Sequence, residues 1–308
     1  MTLLSTGTLR VGLDIGGTKT DAVAVASTGE IVQQVRMPTG FGPDAVLETA
    51  VAAVTQLAEL TGTAITEFTS IGIGIPGAVD NGTGRVTHAV NLGLEGLELG
   101  SELSERLGRP VRIDNDVNAA ALGAFHLLEK HEHLSMAFLN LGTGLAAGII
   151  IDGTVWRGSR GTAGEIGHIP VDPNGPECPC GQRGCLEMVA SGSAIARQWP
   201  TDDPKPARAL FAAAAAGDAH ALDVKQRFVE NVAAAVRLLV LTVDVDSVVI
   251  GGGLSSLGPV LLDDVRAVLA SWEAESAFLA STKLSERVAI VPVDFPAAAV
   301  GAALVGVA

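Results

Sequence analysis

Basic residues are scarce in this sequence. Its 308 residues include 20 lysines and arginines against 34 aspartates and glutamates, which gives a formal net charge of −14 at pH 7. A nucleic-acid surface needs clustered lysine and arginine to neutralise phosphates, and the sequence contains no such cluster. We therefore expect no nucleic-acid partner.

Long hydrophobic runs are also absent. Hydrophobic residues make up 48% of the chain, yet no stretch reaches the roughly 18 consecutive apolar residues that a membrane span requires. Residues 1–12 lack the apolar core of a signal peptide. A chain this apolar and with only 18% charged residues is not disordered, and its length predicts about two domains. We expect a soluble, cytoplasmic, globular protein with no membrane partner.

Cysteine is rare, and its placement is informative. The three cysteines, Cys178, Cys180 and Cys185, follow His168 with the spacing H-x9-C-x-C-x4-C. An odd number of clustered cysteines does not suit a disulfide framework, whereas three thiolates and one imidazole form a closed, structural zinc site. The alternative is three reduced, unligated thiols. Because the loop is rich in proline and poor in apolar residues, it needs a staple, and we expect structural Zn²⁺.

A strand, a glycine-rich turn and a second strand occur in that order twice, over residues 9–25 and 136–151. Such repeated units predict an α/β fold with mixed sheets covered by helices. Further strands are expected over 30–36, 70–75, 110–113, 247–250 and 288–293, and helices over 43–60, 101–107, 115–128, about 218–241 and 297–307. The last helix is rich in small residues, which predicts tight packing against the first domain.

Three glycine-rich turns follow predicted strands and could hold the phosphates of a nucleotide. Glycines let backbone N–H groups approach an anion closely, and an aspartate at the strand end could hold a magnesium ion. Each turn alone could equally be an ordinary turn, but three at matching positions favour phosphate binding. The residues are Asp14, Gly16, Gly17, Thr18 and Lys19, then Gly142, Thr143 and Gly144, then Gly251, Gly252 and Gly253.

A polar cluster lies where a predicted strand gives way to a predicted helix. It contains Asp114, Asn115 and Asp116, and ligands of α/β proteins bind beyond such strand ends. Phosphoryl transfer to an alcohol needs a carboxylate that accepts the hydroxyl proton, and by spacing Asp114 and Asp116 are equal candidates. The alternative is that one of them simply caps the helix.

These turns resemble the two phosphate loops of the sugar kinase/Hsp70/actin superfold, through D-x-G-G-T at 14–18 and L-G-T-G at 141–144. The motif C-G-x-x-G-C-x-E at 180–187 resembles the signature of the ROK family of sugar kinases and sugar-responsive repressors. The resemblance implies a two-domain, actin-like (ribonuclease H-like) ATPase fold with a cleft between the domains. It also implies a small N-terminal lobe, 1–117 plus 297–308, and a larger C-terminal lobe, 118–296, with the zinc loop.

The resemblance also implies roles for individual residues. ROK kinases carry an Asn-Asp pair that binds the sugar and supplies the general base, and this pair maps onto Asn115 and Asp116. Carboxylates suit sugar hydroxyls because charged acceptors form the stronger hydrogen bonds. Mg²⁺-ATP is expected on the three glycine turns, and His168 is expected to bind both zinc and sugar. The expected sugar-binding residues are Gly77, Asn115, Asp116, Glu165, His168 and Glu187.

The function implied is an ATP-dependent hexose kinase that phosphorylates the 6-hydroxyl, with a glucose-type sugar expected. Residues 88–94 lack the Pro and Trp that many ROK glucokinases carry there, so a kinase for N-acetylmannosamine or N-acetylglucosamine stays open, as does polyphosphate as donor. A non-catalytic, sugar-sensing regulator is the other alternative. The Asp14 motif begins near the start of the sequence and leaves no room for the regulator's DNA-binding segment. A homodimer or homotetramer is expected.

Overall fold

The computed structural model describes residues 8–128 and 134–306, and its contacts divide the chain into two compact units. Unit 1 contains Met1–Lys130, Thr154–Gly161 and Pro296–Ala308, and unit 2 contains His131–Gly153 and Thr162–Phe295. The segment Thr154–Gly161 thus belongs to unit 1, although the chain on both sides of it belongs to unit 2. The lobe boundaries expected from the family resemblance stay a prediction.

The elements below are given in chain order. The first part of unit 1 contains β1 (Leu9–Ile15), β2 (Lys19–Ala26), β3 (Ile31–Pro38), α1 (Pro43–Thr61), β4 (Ser70–Ile75), β5 (Ala78–Asp80), β6 (Arg85–Ala89), β7 (Leu94–Leu97), α2 (Leu99–Leu107), β8 (Val111–Asn115) and α3 (Asp116–Leu128). Then follow β9 (Met136–Leu141) and β10 (Leu145–Ile151) of unit 2 and β11 (Thr154–Val155) of unit 1. Unit 2 continues with α4 (Gly192–Gln198), α5 (Pro206–Ala215), α6 (Ala219–Val243), β12 (Ser247–Gly251), α7 (Pro259–Glu275), α8 (Ala277–Thr282) and β13 (Val288–Ile290), and α9 (Ala297–Val305) lies in unit 1. None of the helices in the described ranges is long and apolar enough to cross a membrane.

The main sheet of unit 1 has the order β3-β2-β1-β4-β8, with β1 antiparallel to β2 and parallel to β4, and β4 parallel to β8. Alternate residues of a strand point to opposite faces. On one face Leu13, Ile73 and Ile113 are buried in a core that also contains the apolar side of α1. The other face is packed against α9, which contacts β1 and β4.

Close packing of α9 explains its small residues. A Cβ atom on Gly12 of β1 would lie 2.0 Å from the carbonyl oxygen of Ala299. A Cβ on Gly301 of α9 would lie 1.7 Å from the carbonyl oxygen of Ala119 in α3. Only glycine allows these approaches, so the tight packing expected of the last helix is confirmed for the described residues 297–306, while residue 307 lies outside them.

The sheet of unit 2 contains β10, β9, β12 and β13 as successive neighbours, and α6 and α7 supply most of the helical side chains in its core. Both predicted strand–turn–strand repeats are confirmed as antiparallel hairpins, β1–β2 and β9–β10. The strand expected over 288–293 ends at Ile290, because Pro292 lacks an N–H for the ladder.

Several elements of the fold were not predicted, among them the short β11, α4 and α8. In unit 1, β5, β6 and β7 form a separate three-stranded sheet, and in unit 2 the alanine-rich α5 follows the proline-bounded loop. The three strands have between three and five residues each, which is too few for an alternating pattern to stand out.

Candidate functional site

Three aspartates lie in one row across the main sheet of unit 1. Asp14 on β1 is opposite Asp21 on β2 and Gly74 on β4, and Gly74 is opposite Asp114 on β8. Residues opposite one another share a face, and so do alternate residues of one strand. Asp14 therefore shares a face with Gly12, which packs against α9, and the row lies on that face. Gly74 leaves space for the start of α3, since a Cβ there would lie 3.3 Å from the Cα of Asp116.

Asp14 is the carboxylate most affected by this arrangement. Burial, followed by the neighbouring charges of Asp116 and Asp21, raises the pKa of the Asp14 carboxyl to about 7, against the opposing effect of Lys19. Carboxylates that repel one another favour a cation between them. Oxygen ligands of this kind suit Mg²⁺, so Asp14 fits the magnesium ion that the sequence predicts there.

The two aspartates that spacing left equal are used differently. Asp114 is 1% exposed. Its Oδ1 accepts hydrogen bonds from the backbone N–H of Asn115 at 2.8 Å and from Nδ2 of Asn118 at 3.3 Å, and its Oδ2 is ion-paired with Arg157. Asp116 is only half-buried, and its Oδ1 accepts from the backbone N–H of the next residue at 3.0 Å. Asp114 is thus a buried acceptor of hydrogen bonds from its neighbours, and Asp116 is the more accessible carboxylate.

Asn115, not an aspartate, caps α3. Its Oδ1 accepts from the backbone N–H groups of Val117 at 2.9 Å and Asn118 at 3.3 Å, as an N-cap does, so the helix expected from residue 115 begins at Asp116. The Nδ2 of Asn115 donates to the carbonyl of Gly77 at 3.2 Å. The structure therefore brings together two of the expected sugar-binding residues.

The β1–β2 turn is a tight hairpin in which the N–H of Gly16 donates to the carbonyl of Lys19 at 2.9 Å. Gly17 and Thr18 are exposed at its tip, where their polar atoms are accessible to an anion. The ammonium of Lys19 lies 3.1 Å from the carboxylate of Asp21, so this lysine is engaged in an ion pair within unit 1.

Two glycine turns of unit 2 leave its sheet side by side. The strands β9 and β12 are parallel, with Gly251 opposite Asn140, so the turns that follow them emerge at the same edge. Gly252 has φ of 78°, and a Cβ there would lie 2.6 Å from the carbonyl oxygen of Leu141. The structure thus brings the Gly142, Thr143, Gly144 turn next to the Gly251, Gly252, Gly253 run.

Glu187 connects the cysteine loop with the first of these turns. Its Oε2 accepts a hydrogen bond from the backbone N–H of Leu145 at 2.9 Å, and a Cβ on Gly144 would lie 2.4 Å from the same oxygen. Glu165 is exposed and His168 is half-buried. Of the expected sugar-binding carboxylates, Glu187 therefore has one oxygen committed to the backbone.

The three cysteines and His168 form one cluster, with a ligand atom of each within 4.8 Å of the others. The Sγ atoms of Cys180 and Cys185 are 3.7 Å apart, and Sγ of Cys178 lies 3.8 Å from Nδ1 of His168. Tetrahedral zinc with Zn–S bonds of about 2.3 Å places sulfur ligands about 3.8 Å apart, whereas a disulfide needs about 2 Å. The cluster is compatible with a structural zinc ion.

The environment of the thiols also suits a cation. Backbone and side-chain hydrogen bonds from Gln182 lower the pKa of Cys180 to about 6, whereas burial raises the pKa of Cys185 to about 12. Zinc binds thiolates, and a buried thiolate needs a positive partner. A divalent cation would provide that partner.

Sequence reasoning named Lys19 but missed Asp21, Arg36 and Arg157, the other charged residues of the row and its surroundings. Lys19 and Arg36 both pair with Asp21, and Arg157 pairs with Asp114. Asp21 could have been found, because a hairpin that turns over 16–19 places it opposite Asp14. Nothing in the spacing connects Arg157 to Asp114.

Comparison with known proteins gives the family. The profile of the ROK family matches residues 10–304. The chain belongs to the ROK family. It is 36% identical over 275 residues to a glucokinase of Halalkalibacterium halodurans, which covers 83% of each chain. It is 32% identical over 249 residues to an N-acetylmannosamine kinase of Haemophilus influenzae, which covers 79% of this chain and 80% of that protein.

Solved structures of ROK proteins are similar over nearly the whole chain. A ROK hexokinase of Thermus thermophilus has a TM-score of 0.80 and 32% identity, and covers 97% of this chain and 98% of its own. A ROK glucokinase of Streptomyces griseus in complex with glucose and AMPPNP has a TM-score of 0.79 and 30% identity, and covers 97% of this chain and 99% of its own. The expected α/β fold of the actin-like ATPase type is confirmed.

Proposed function

We propose that this ROK protein is an ATP-dependent hexose kinase that transfers the terminal phosphate of ATP to the 6-hydroxyl of a hexose, with glucose as the first candidate. The observation that carries the proposal is the turn at the end of β8. There Asp116 is half-buried and close enough to Asp14 to raise the pKa of the Asp14 carboxyl. Asp114, by contrast, is buried and ion-paired with Arg157. The similarity to glucokinases supports the choice of sugar.

In this mechanism Asp116 acts as the general base. One of its carboxylate oxygens accepts the proton of the sugar 6-hydroxyl, and the sugar oxygen attacks the terminal phosphorus in line. The bond between that phosphorus and the bridging oxygen of ATP breaks, and ADP leaves. Asn115, whose amide reaches Gly77, would orient the sugar.

Unit 1 also has a candidate phosphate-binding turn. The N–H groups of Gly16 and Gly17 and the hydroxyl of Thr18 would face the phosphates, and Lys19 would add positive charge there. Asp14 would hold Mg²⁺ directly or through water. The ion, when bound, neutralises charge on the transferred phosphate.

Unit 2 has candidate binding residues of its own. The turn Gly142, Thr143, Gly144 offers backbone donors to phosphate, and the adjacent Gly251, Gly252, Gly253 run offers a flat surface for the base. Glu165, the second ring nitrogen of His168 and the free oxygen of Glu187 would bind sugar hydroxyls. Zn²⁺ held by His168, Cys178, Cys180 and Cys185 would fix the orientation of that histidine.

An N-acetylated amino sugar is the second candidate substrate, because an N-acetylmannosamine kinase is 32% identical. Polyphosphate could replace ATP on the same turns. Thiolate ligands persist in a reducing compartment, so the proposal includes a cytoplasmic location. As in other ROK kinases, we expect a homodimer or homotetramer.

The proposal is tested by ADP release with Mg²⁺-ATP over a panel of hexoses and N-acetylhexosamines. We expect turnover on one sugar, and Asp116→Asn should lower kcat by about 10²–10⁴-fold, the usual contribution of a general base, with sugar binding changed by less than a few-fold. Asp263→Asn, an exposed aspartate on α7, serves as the matched control. An active Asp116→Asn variant would exclude Asp116 as the base.

A further inference from the structure

Arg157 contacts the turn at the end of β8, which contains Asn115 and Asp116, from a distant part of the chain. It lies on Thr154–Gly161, the segment that belongs to unit 1 between two stretches of unit 2. Its guanidinium pairs with Asp114, the residue two positions before the proposed base. The side chain of Asp114 is 1% exposed and that of Arg157 is 31% exposed. The carboxylate of this ion pair is therefore buried, and its guanidinium is partly exposed.

Asp114 in turn bonds to residues on both sides of Asp116, to backbone on one side and to a side chain on the other. Its Oδ1 accepts from the N–H of Asn115 and from the side chain of Asn118, while Arg157 occupies Oδ2. A buried carboxylate that loses its cationic partner is strongly destabilised. Without Arg157, Asp114 would have to bind water or take up a proton, and both changes disturb the hydrogen bonds that fix this turn.

The carboxylates at the two ends of the row are both paired with basic side chains. At one end Asp21 is paired with Lys19 and Arg36, and at the other end Asp114 is paired with Arg157. Asp14 and the adjacent Asp116 lie between these neutralised ends. Arg157 thus neutralises the charge of Asp114, which lies close to the two groups that the mechanism uses.

We propose that Arg157 is a positioning residue for phosphoryl transfer, which acts through Asp114 to hold the Asn115–Asp116 turn in the orientation that proton transfer needs. Proton and phosphoryl transfer depend steeply on such geometry, whereas substrate affinity depends on it less. The kinetic consequence rests on the proposed kinase function. The structural consequence, a more mobile turn, does not.

The kinetic test compares Arg157→Gln with Arg160→Gln, an exposed arginine on the same segment. We expect Arg157→Gln to lower kcat by about 10–100-fold, as small misplacements of reacting groups do, while KM for sugar and for ATP changes by less than about threefold. Guanidinium ion at millimolar concentration should restore part of the lost kcat. Arg160→Gln should match the wild type. An unchanged kcat, or a loss confined to KM, would overturn the proposal.

Hydrogen exchange supplies a readout that needs no activity. Amides of residues 114–120 should exchange faster in Arg157→Gln than in the wild type or Arg160→Gln, and equal exchange would overturn the proposal. If the wild type phosphorylates no sugar, the kinase assignment fails while this measurement still decides on positioning. If Arg157→Gln does not fold, the double variant Arg157→Gln/Asp114→Asn is measured instead, because it removes both charges of the ion pair. A kcat of the double variant equal to the wild-type value would contradict positioning, and a lower kcat would support it.

Discussion

Asp14 shows how position on a sheet changes the chemistry of one residue. It occupies the middle of a row in which every neighbour is set by strand register, with Asp21 on one side and Gly74 on the other. Burial and the charges of Asp116 and Asp21 raise its pKa to about 7. Close to neutral pH the residue is therefore divided between a neutral form and a carboxylate that can bind a cation.

This shift predicts a pH dependence of nucleotide affinity. If Asp14 helps to hold Mg²⁺, only its ionised form does so, and KM for Mg²⁺-ATP should rise up to about tenfold for each pH unit below 7. Asp14→Asn should have a high KM that changes little with pH beyond the titration of ATP itself, and Asp263→Asn should match the wild type. A wild-type KM that follows the profile of Asp14→Asn between pH 6 and pH 8 would contradict this role.

The same shift has a consequence for stability. Because the folded pKa lies above the model value of 3.8, the folded protein binds more protons at this site than the unfolded chain does between about pH 4 and pH 7. Its contribution to the free energy of unfolding is therefore present below pH 4 and is lost as the pH rises through about 7. Asp14→Asn should remove this component from urea unfolding measured across that range.

Single residues differ in how far the sequence could assign them. The cluster of His168, Cys178, Cys180 and Cys185 could be predicted because these residues are close in the chain, so their spacing carries the geometry. Spacing could not separate Asp114 from Asp116, since the difference lies in Arg157, which is 43 positions away from Asp114. Contacts of that kind depend on the path of the whole chain.

At the scale of elements, packing decides what composition only suggests. Strong periodicity made the helix over 43–60 and the buried strands predictable, and the structure has them as α1, β1 and β4. The strands β5, β6 and β7 and the helix α5 were missed because short or alanine-rich segments carry weak periodic signals. Tertiary pairing, which a local pattern does not contain, defines these elements.

The α3–α9 contact gives a prediction for this scale. Gly301→Ala would improve helix propensity by about 1 kcal/mol, but the new Cβ would overlap the carbonyl oxygen of Ala119, at 1.7 Å. Since overpacking costs about 1–3 kcal/mol and this neighbour is backbone, we expect a net loss of about 2 kcal/mol in urea unfolding followed by circular dichroism. Ala298→Ser, at a less buried position of α9, should change stability by less than about 0.5 kcal/mol. A variant as stable as the wild type would show that the two helices separate without cost.

At the scale of the whole molecule, the cysteine loop affects more of unit 2 than its own residues. The chain that leaves the cluster at Cys185 returns to the Gly142, Thr143, Gly144 turn through three hydrogen bonds. The N–H of Leu145 donates to Glu187, that of Gly192 donates to Gly142, and that of Ser193 donates to Thr143. Order in the cluster of His168 and the three cysteines is thereby connected to a turn proposed to bind ATP phosphate.

Removal of the proposed zinc ion should therefore loosen two regions of unit 2 together. With a strong chelator, we expect faster hydrogen exchange at residues 166–193 and also at 141–146, with little change at residues 9–38 of unit 1. Because structural zinc contributes several kcal/mol and 1 kcal/mol shifts Tm by about 2–4 °C in a domain of this size, the first unfolding transition should fall by more than about 5 °C. Cys178→Ser should reproduce these effects without chelator. Faster exchange confined to 166–193 would show that the hydrogen bonds of Glu187, Gly192 and Ser193 do not transmit the order of the cluster to the turn.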